Sequence, residues 1–248
     1  MRIVCFNMRA GGSANHWQEM IDRLAPDLAL VQETRNPLAF AGSLAIPRCR
    51  LLWAPVEHGK WGTALLLPRR PRRLLPIPGF EGWVVGAEVT GWPRRQPLHV
   101  YSVHMPARRI SYLREANAML DGIATLSAGA DSVIGGDFNL TVAHRAPGDW
   151  RTNSRGEQRF LERTEDELGL VNAWRATHPE APLPQTLRWT RDPVTPYHCD
   201  EILVPGRWTS SIASAEVHAG EEWERLSDHN PVSAEIARPP VRQALRDT

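Results

Sequence analysis

The stretch Leu226-Ser227-Asp228-His229-Asn230-Pro231-Val232 places an acid, an imidazole and an amide between apolar residues. It is not typical of a solvated charge run, because its apolar flanks favour burial. Two other segments, Gln32-Glu33-Thr34 and Gly135-Gly136-Asp137-Phe138-Asn139, also place acidic or amide side chains where an apolar run ends. Each segment alone fits a loop carboxylate at a strand end. The three in this order, with Asn7 ahead of them, predict one shared polar site.

The sequence pattern predicts strands interrupted by a few helices. Trp17, Met20, Ile21 and Leu24 repeat at helical spacing, whereas shorter apolar runs indicate strands. Because strands run the full length of the chain, the pattern favours two packed sheets flanked by helices over one doubly wound sheet. The irregular segment 140–156 is the longest gap between elements and is a candidate functional loop. We predict strands at 2–7, 28–32, 62–67, 83–90, 98–104, 131–136, 186–190, 200–204, 212–217 and 231–236, and helices around 17–24, 109–127 and 157–168.

The composition is that of an ordinary globular protein. A chain of 248 residues, 42% of them hydrophobic and 23% charged, can bury a sizeable core as one large domain or two small ones. With no internal repeat or low-complexity linker, we predict a single domain over residues 1–238 and a C-terminal tail over 239–248. The three cysteines are too few and too far apart to indicate a zinc site or a disulfide framework. Without a signal peptide or an apolar stretch of membrane-spanning length, a cytoplasmic protein with no membrane contact and no obligate protein partner is expected.

The net charge of the chain says little about its binding partners. A net charge of +1 exerts no global attraction on nucleic acid. Lys60 is the only lysine among 29 basic Lys and Arg residues. The codon bias of a GC-rich genome accounts for this, although arginine also suits bidentate phosphate binding. The run Arg69-Arg70-Pro71-Arg72-Arg73 fits a solvated loop or a substrate contact.

The polar residues at the strand ends are donors suited to a hard metal ion. Mg²⁺ and Mn²⁺ take carboxylates, amides and water rather than thiolates. Phosphodiester cleavage needs such a metal, an activated water and stabilisation of charge on the phosphorus. Asn7 alone would fit a turn residue, whereas a buried Glu33 must find a partner or a metal. The candidate donors are Asn7, Glu33, Asp137, Asn139 and Asp228.

Two histidines are candidates for contact with phosphate. If the segment is extended, His229 and Asp228 point to different faces, so another carboxylate must orient the imidazole. Asp200, which precedes the apolar run Ile202-Leu203-Val204, is our choice, since an Asp–His pair fixes the tautomer and favours the imidazolium. The alternative is that Asp200 simply opens a strand. His104 ends another strand before Met-Pro, where it is either structural or a phosphate contact.

Taken together, the motifs resemble the endonuclease/exonuclease/phosphatase superfamily of metal-dependent phosphoesterases. The resemblance covers the chain from residue 2 to about 236. It implies a four-layer α/β/β/α sandwich with the site at one end of two mixed sheets. No single motif is decisive, but the ordered set is specific. The matching pieces are Phe6-Asn7, Gln32-Glu33-Thr34, Ser102-Val103-His104, Gly136-Asp137-Phe138-Asn139, Cys199-Asp200-Glu201-Ile202 and Ser227-Asp228-His229-Asn230-Pro231.

The resemblance also implies a role for each matching residue. Glu33 would bind Mg²⁺ or Mn²⁺ with help from Asn7, and Asp228 would serve the same metal site. Asp137 would position or deprotonate the water. The remaining residues would act on the phosphate: Asn139 would hold it, His104 would donate to one of its oxygens, and His229, paired with Asp200, would contact it or assist proton transfer.

Departures from the family pattern bear on the substrate. Apurinic/apyrimidinic (AP) endonucleases usually carry Tyr with Pro-Asn-Gly where this chain has His104-Met105-Pro106-Ala107, and an acidic residue where it has Arg9. The chain is therefore similar to the branch with His, which includes DNases, sphingomyelinases, inositol-polyphosphate phosphatases and tyrosyl-DNA phosphodiesterases. We expect a phosphodiesterase acting on DNA, RNA or a nucleotide-like ester. The alternatives are a phosphomonoesterase, a lipid- or inositol-phosphate hydrolase, and a non-catalytic nucleic-acid-binding member.

Residues near the strand ends are candidates for substrate contact. A basic rim could follow a phosphate backbone, and Trp189 and His198, upstream of Asp200, could line a pocket for a base or leaving group. Core packing is the other interpretation of Trp189. The rim candidates are Arg9, Arg35, Lys60, Arg108 and Arg145.

Overall fold

Two six-stranded sheets form the centre of the molecule, and helices cover their outer faces. The computed structural model describes residues 1–57, 59–90, 97–106, 112–141, 153–192 and 194–237. In chain order the elements are β1 (Arg2–Gly12), α1 (Ala14–Leu24), β2 (Leu28–Thr34), β3 (Leu51–Pro55), β4 (Gly62–Leu66), β5 (Arg73–Leu74), β6 (Val84–Thr90), β7 (Pro97–His104), α2 (Tyr112–Ser127), β8 (Asp131–Asp137), α3 (Arg155–Asp166), β9 (Leu170–Asn172), α4 (Ala173–Thr177), β10 (Asp200–Pro205), β11 (Ile212–Val217), α5 (Glu221–Glu224) and β12 (Val232–Ile236). Among the described residues, no helix is long and apolar enough to span a bilayer.

Each sheet mixes parallel and antiparallel pairs. The first has the order β11-β12-β1-β2-β4-β3, and the second has the order β5-β6-β7-β8-β10-β9. One pair in each sheet, β1–β2 and β7–β8, is parallel. A parallel pair brings the carboxyl ends of its two strands to the same edge, so both sheets deliver strand ends to one rim of the molecule.

Three apolar layers separate the four structural layers. Side chains alternate between the faces of β1, so that Ile3 and Cys5 face the other sheet, whereas Val4 and Phe6 pack under the helix side. The layer under α1 includes Trp17, and a third layer lies between the second sheet and helices α2 and α3. This arrangement confirms the predicted α/β/β/α sandwich. Both faces of the central strands are buried, which explains their continuous apolar runs.

Most predicted elements are confirmed, with shifted ends. The predicted strand at 186–190 is wrong, since only Leu187 there makes isolated bridges, to Tyr197 and to His229. The strands β3, β5 and β9 and the helices α4 and α5 were not predicted. They are two to five residues long, too short for a periodic pattern.

Some predictions fall outside the described residues. The first residues of the predicted helix 109–127 and most of the candidate loop 140–156 belong to this group, although α3 begins within that loop, at Arg155. Arg108, Arg145 and the tail 239–248 also lie outside the described residues.

Gly136 allows the strand that carries Asp137 to pack closely. It pairs with Val103 of β7 on one side and with Glu201 of β10 on the other. A Cβ at this position would overlap the carbonyl oxygen of Val103. The glycine therefore permits the close approach of β7 to β8 that brings Asp137 beside His104.

Replacing Gly136 by alanine should lower the free energy of unfolding by about 1–3 kcal/mol, because backbone must move to admit the methyl group. Urea denaturation would measure this. Gly42→Ala is the control, since a Cβ there meets nothing within 4 Å, and it should change stability by less than about 1 kcal/mol. Equal effects of the two substitutions would contradict the packing argument.

Candidate active site

A buried amide joins carboxylates from both sheets at the rim. We use this name for the strand ends and the adjoining loop that carry Asn7, Glu33, His104, Asp137, Asp200, Asp228 and His229. Asn7 lies in β1, Glu33 lies near the end of β2, and Asp137 ends β8. The Nδ2 of Asn7 donates to Asp137 Oδ2 at 2.9 Å and to Glu33 Oε1 at 3.2 Å. Asn7 is fully buried and Asp137 nearly so. The amide thus fixes the position of two acidic groups that would otherwise repel each other.

The backbone is strained where these side chains leave the strands. Among the described residues, six non-glycine residues have positive φ, and four of these lie at the rim: Arg9, Ala10, Glu33 and Asn139. Each costs about 1–2 kcal/mol relative to ordinary backbone. Two short hydrogen bonds hold the turns: Arg9 N donates to Asn7 Oδ1 at 2.9 Å, and Asn139 N donates to Asp137 Oδ1 at 2.8 Å. Such strain is typical of functional sites.

Two histidines face one oxygen of Asp137. The Nε2 atoms of His104 and His229 each lie 3.8 Å from Asp137 Oδ2. Burial lowers the pKa of His104 to about 4. Burial also opposes charge on His229, but the carboxylates of Asp200 and Asp137 outweigh it and raise the pKa of His229 to about 10. At neutral pH the rim therefore presents one neutral imidazole and one imidazolium.

Asp200 orients the charged ring. Its Oδ2 lies 2.8 Å from His229 Nδ1, and strand register places Asp200 directly beside Asp137. The bond at Nδ1 directs Nε2 toward Asp137. Ser227 ties the loop that carries His229 to β1. Its Oγ accepts from His229 N at 3.1 Å and donates to Asn7 O at 2.7 Å. The structure thus brings together the predicted pair, and Asp200 also opens β10.

The segment before β10 holds the loop that carries His229. Asn230 N donates to Thr186 O at 2.7 Å, and Arg188 N donates to Asp228 O at 2.8 Å. The guanidinium of Arg188 donates to Ser227 O at 2.7 Å and contacts Asn230 Oδ1. Sequence reasoning missed the anchoring roles of Arg188 and Ser227. Apart from the bond between His229 and Ser227, the partners are far apart in sequence, so no local pattern could indicate them.

Aromatic rings hold the neutral histidine. The ring centroids of Trp61 and Trp83 lie 5.3 and 5.2 Å from that of His104, and both rings are tilted against it. Trp61 and Trp83 meet edge to face at 5.6 Å. His104 Nδ1 is buried and has no hydrogen-bond partner among the described residues. The two indoles, which sequence reasoning did not assign to the site, keep this imidazole dry.

The acidic groups of the rim fit a hard divalent cation. Burial raises the pKa of Glu33 against the opposing effects of the hydrogen bond from Asn7 and the charge of His229, and the carboxylates of Asp137 and Asp228 raise it further. Repulsion of this kind is relieved by a bound cation, and carboxylate oxygens suit Mg²⁺ or Mn²⁺. Asn7 presents Nδ2 to the carboxylates, while its Oδ1 accepts from Arg9 N. A direct oxygen ligand from Asn7 would require its amide to turn.

The predicted substrate residues occupy different positions around the site. Arg9 lies 3.4 Å from Asp228 and is therefore partly neutralised. Arg35, which follows β2, and Lys60, just before β4, are both exposed. Arg108 lies outside the described residues. Trp189 is 41% exposed and contacts Tyr197 edge to face at 5.5 Å.

A cavity of about 520 Å³ adjoins the acidic rim. Its lining includes Glu33, Asp137, Asp228 and His229 as well as aromatic side chains. The predicted Trp189 and His198 both line it, although His198 is almost fully buried and contacts Glu201. Sequence reasoning missed the further lining residues Tyr112, Arg191 and Tyr197.

Comparisons with known proteins agree with this geometry. The model of the endonuclease/exonuclease/phosphatase family matches residues 4–229. No curated protein sequence matches the chain. Solved structures with a similar fold include a 3′ phosphatase from Neisseria bound to a product DNA hairpin, with a TM-score of 0.73 and 19% identity over 95% of this chain and 99% of that one. An AP endonuclease from Archaeoglobus fulgidus has a TM-score of 0.74 and 17% identity, over 95% of this chain and 99% of that one. An AP endonuclease from Leishmania major has a TM-score of 0.70 and 15% identity, over 96% of this chain and 88% of that one. The family match spans nearly the whole chain and includes every residue of the rim, so the chain belongs to the endonuclease/exonuclease/phosphatase family.

Proposed function

We propose that this protein hydrolyses phosphodiester bonds in nucleic acid or in a nucleotide-like ester, with Mg²⁺ or Mn²⁺ as cofactor. The observation that carries the proposal is the convergence of an amide and an imidazolium on one carboxylate oxygen, Asp137 Oδ2. The family supports a hydrolytic phosphoesterase, and its members generally depend on a divalent metal. The similar structures named above are DNA-processing enzymes, which supports nucleic acid as the substrate.

Glu33 and Asp228, with the amide of Asn7 beside them, would hold the cation. When bound, the cation supplies positive charge for the phosphate and for the departing oxygen. Glu33 is suited to this position because its partly buried carboxylate lines the cavity while contacting the neutral His104 and the amide of Asn7. Arg9 restrains Asp228 on the outer side of the site.

Asp137 is the base in the proposed mechanism. Its Oδ1 is fixed by Asn139 N and its Oδ2 by Asn7 Nδ2, so the carboxylate is held in one orientation. A water placed against Oδ2 would lose its proton to Asp137 as it attacks phosphorus. Asn7 assists by holding the acceptor oxygen at the entrance to the cavity.

His229 supplies positive charge next to that base. Its Nε2 faces the same space as Asp137 Oδ2, so it can donate to a phosphate oxygen while negative charge develops on phosphorus. Asp200 keeps the ring protonated and correctly turned. His104 can donate from Nε2 without adding charge. Asn139, which gives one amide hydrogen to Met105 O at 2.8 Å, keeps the other for phosphate.

A phosphomonoesterase is the second candidate function. The cavity beside the carboxylates could hold a terminal phosphate with one attached ring, and one of the similar structures is a 3′ phosphatase. A panel of single-stranded DNA, duplex DNA, RNA, 3′-phosphorylated DNA and inositol phosphates would separate the two functions. Turnover of monoesters alone would replace the diesterase proposal.

Chelation and a single substitution test the mechanism together. EDTA should abolish release of nitrophenol from bis-p-nitrophenyl phosphate, and Mg²⁺ or Mn²⁺ should restore it. Asp137→Asn should lower kcat by about 10²–10⁴-fold, because an amide cannot accept the proton. Asp131→Asn, at the other end of the same strand, is the matched control and should keep near-full activity. Activity that survives exhaustive chelation would exclude the metal mechanism.

Asp200 and His229 should behave as one unit. Asp200→Asn removes the carboxylate that stabilises the imidazolium, so the pKa of His229 should fall from about 10, which an NMR titration would measure. Each single substitution, Asp200→Asn or His229→Ala, should reduce turnover strongly. The double substitution should be hardly worse than His229→Ala, since groups acting together are non-additive. Multiplicative losses, with an unchanged histidine pKa, would mean that Asp200 only opens β10.

Trp189 should matter only for substrates that carry a base. If its exposed ring stacks on a base, Trp189→Ala should raise KM for an oligonucleotide by about 5- to 150-fold, the equivalent of about 1–3 kcal/mol. The rate with bis-p-nitrophenyl phosphate should change little. Leu74→Ala removes another exposed apolar side chain, at the edge of the second sheet, and should affect neither substrate. An equal loss with both substrates would show that Trp189 supports the fold rather than binding a base.

A further inference from the structure

Cys199 places a soft donor beside the Asp200–His229 pair. Its Sγ lies 3.7 Å from Asp200 Oδ2, and Asp200 Oδ2 lies 2.8 Å from His229 Nδ1. One ligand atom from each of the three residues lies within 4.8 Å of the other two. All three side chains are buried. A thiol and a carboxylate from adjacent residues and an imidazole from a distant loop therefore converge on one small volume.

A second observation concerns the carboxylate of this group. Asp200 Oδ1 is buried and has no hydrogen-bond partner among the residues that the structure describes. Buried carboxylate oxygens are rarely left without a partner, because the lost hydration is not recovered. Asp200 is 1% exposed, so bulk water does not satisfy this oxygen. The carboxylate can therefore accept a further ligand without giving up an existing bond at Oδ1.

We propose that Cys199, Asp200 and His229 form a second metal site, selective for a soft divalent cation such as Zn²⁺, whose occupation inhibits the enzyme. Sulfur, nitrogen and carboxylate donors suit zinc, in contrast to the all-oxygen donors that suit Mg²⁺ at the rim. Cys199 and His229 both line the cavity, which gives the ion a route of entry and leaves room for a water as fourth ligand. Cysteine spacing could not indicate this site, because only one of its ligands is a cysteine.

Binding would exchange protons for the metal. The thiol proton of Cys199 and the Nδ1 proton that His229 shares with Asp200 would pass to solvent, and the dication would take their place. The nearby carboxylate of Asp137 would attract it. As a zinc ligand through Nδ1, His229 would lose its shared proton with Asp200 and could no longer present the imidazolium that the proposed chemistry requires. The inhibitory part of this inference rests on the proposed function, whereas the binding part does not.

Cobalt is the probe for binding, because Co²⁺ replaces zinc and a cobalt–thiolate bond gives a charge-transfer band in the near ultraviolet. We expect such a band in the full-length protein, saturating at one equivalent. Cys199→Ser and Cys199→Ala should abolish it, while Cys49→Ser, at an exposed cysteine, should keep it. Two variants of Cys199 are used so that the test still stands if one of them misfolds. Circular dichroism would show whether each variant is folded. Absence of the band from the unmodified protein, or its persistence in folded Cys199 variants, would overturn the site.

Zinc inhibition is measured on the Mg²⁺-loaded enzyme, with each variant compared with its own rate without zinc. The zinc concentration that halves the rate should rise at least about tenfold in Cys199→Ser relative to the unmodified protein. Cys49→Ser should leave it unchanged. An unchanged value in Cys199→Ser would refute the inhibitory role. If no substrate is turned over at all, the proposed function fails, whereas the cobalt spectrum still decides whether the site exists.

Discussion

The oxygen Asp137 Oδ2 is the point on which the site depends. A carboxylate that is almost fully buried is costly unless polar groups surround it, and these groups come from different elements here. Asn7 donates to Oδ2 from the first sheet. The Nε2 atoms of His104, on the strand beside Asp137, and of His229, in the loop before β12, each lie 3.8 Å from the same oxygen. The two sheets must therefore pack in one relative position for this charge to be satisfied. The parallel pairs β1–β2 and β7–β8, which end at the same rim, meet that requirement.

The surroundings of the two histidines give them different charges at neutral pH. His104 lies between two indole rings, and burial keeps it neutral, whereas the carboxylates around His229 keep it charged. Both Nε2 atoms are nevertheless equally distant from one carboxylate oxygen. Pairs of titratable groups with opposite environments are the usual way in which a site divides acid and base roles. Only His229 can counter a developing negative charge at neutral pH, so the two rings are not interchangeable.

The local sequence pattern was sufficient to predict the fold and the meeting of residues at the rim. It was insufficient to predict the long-range contacts that hold the loops in place. Apolar runs that end in polar residues predicted that Asn7, Glu33 and Asp137 would meet, because strand ends converge wherever parallel pairs occur. The same reasoning wrongly made 186–190 a strand. Its alternating side chains instead serve long-range contacts, such as the bonds from Arg188 to the loop that carries His229. An alternating sequence pattern does not distinguish a strand from an irregular segment whose side chains hold another loop in place.

The proposed chemistry and the proposed selectivity belong to different parts of this molecule. The rim stands on strands whose register is fixed by both sheets, whereas Trp189, Arg191 and Tyr197 come from an irregular segment. That segment has its own support: Tyr197 Oη donates to Asp192 Oδ2 at 2.9 Å. Loops vary more readily than the scaffold that positions them, so this wall of the cavity can change without disturbing Asp137. Such independence allows one fold to serve many phosphate esters, and under the proposed function Trp189, Arg191 and Tyr197, rather than the carboxylates, would set the substrate.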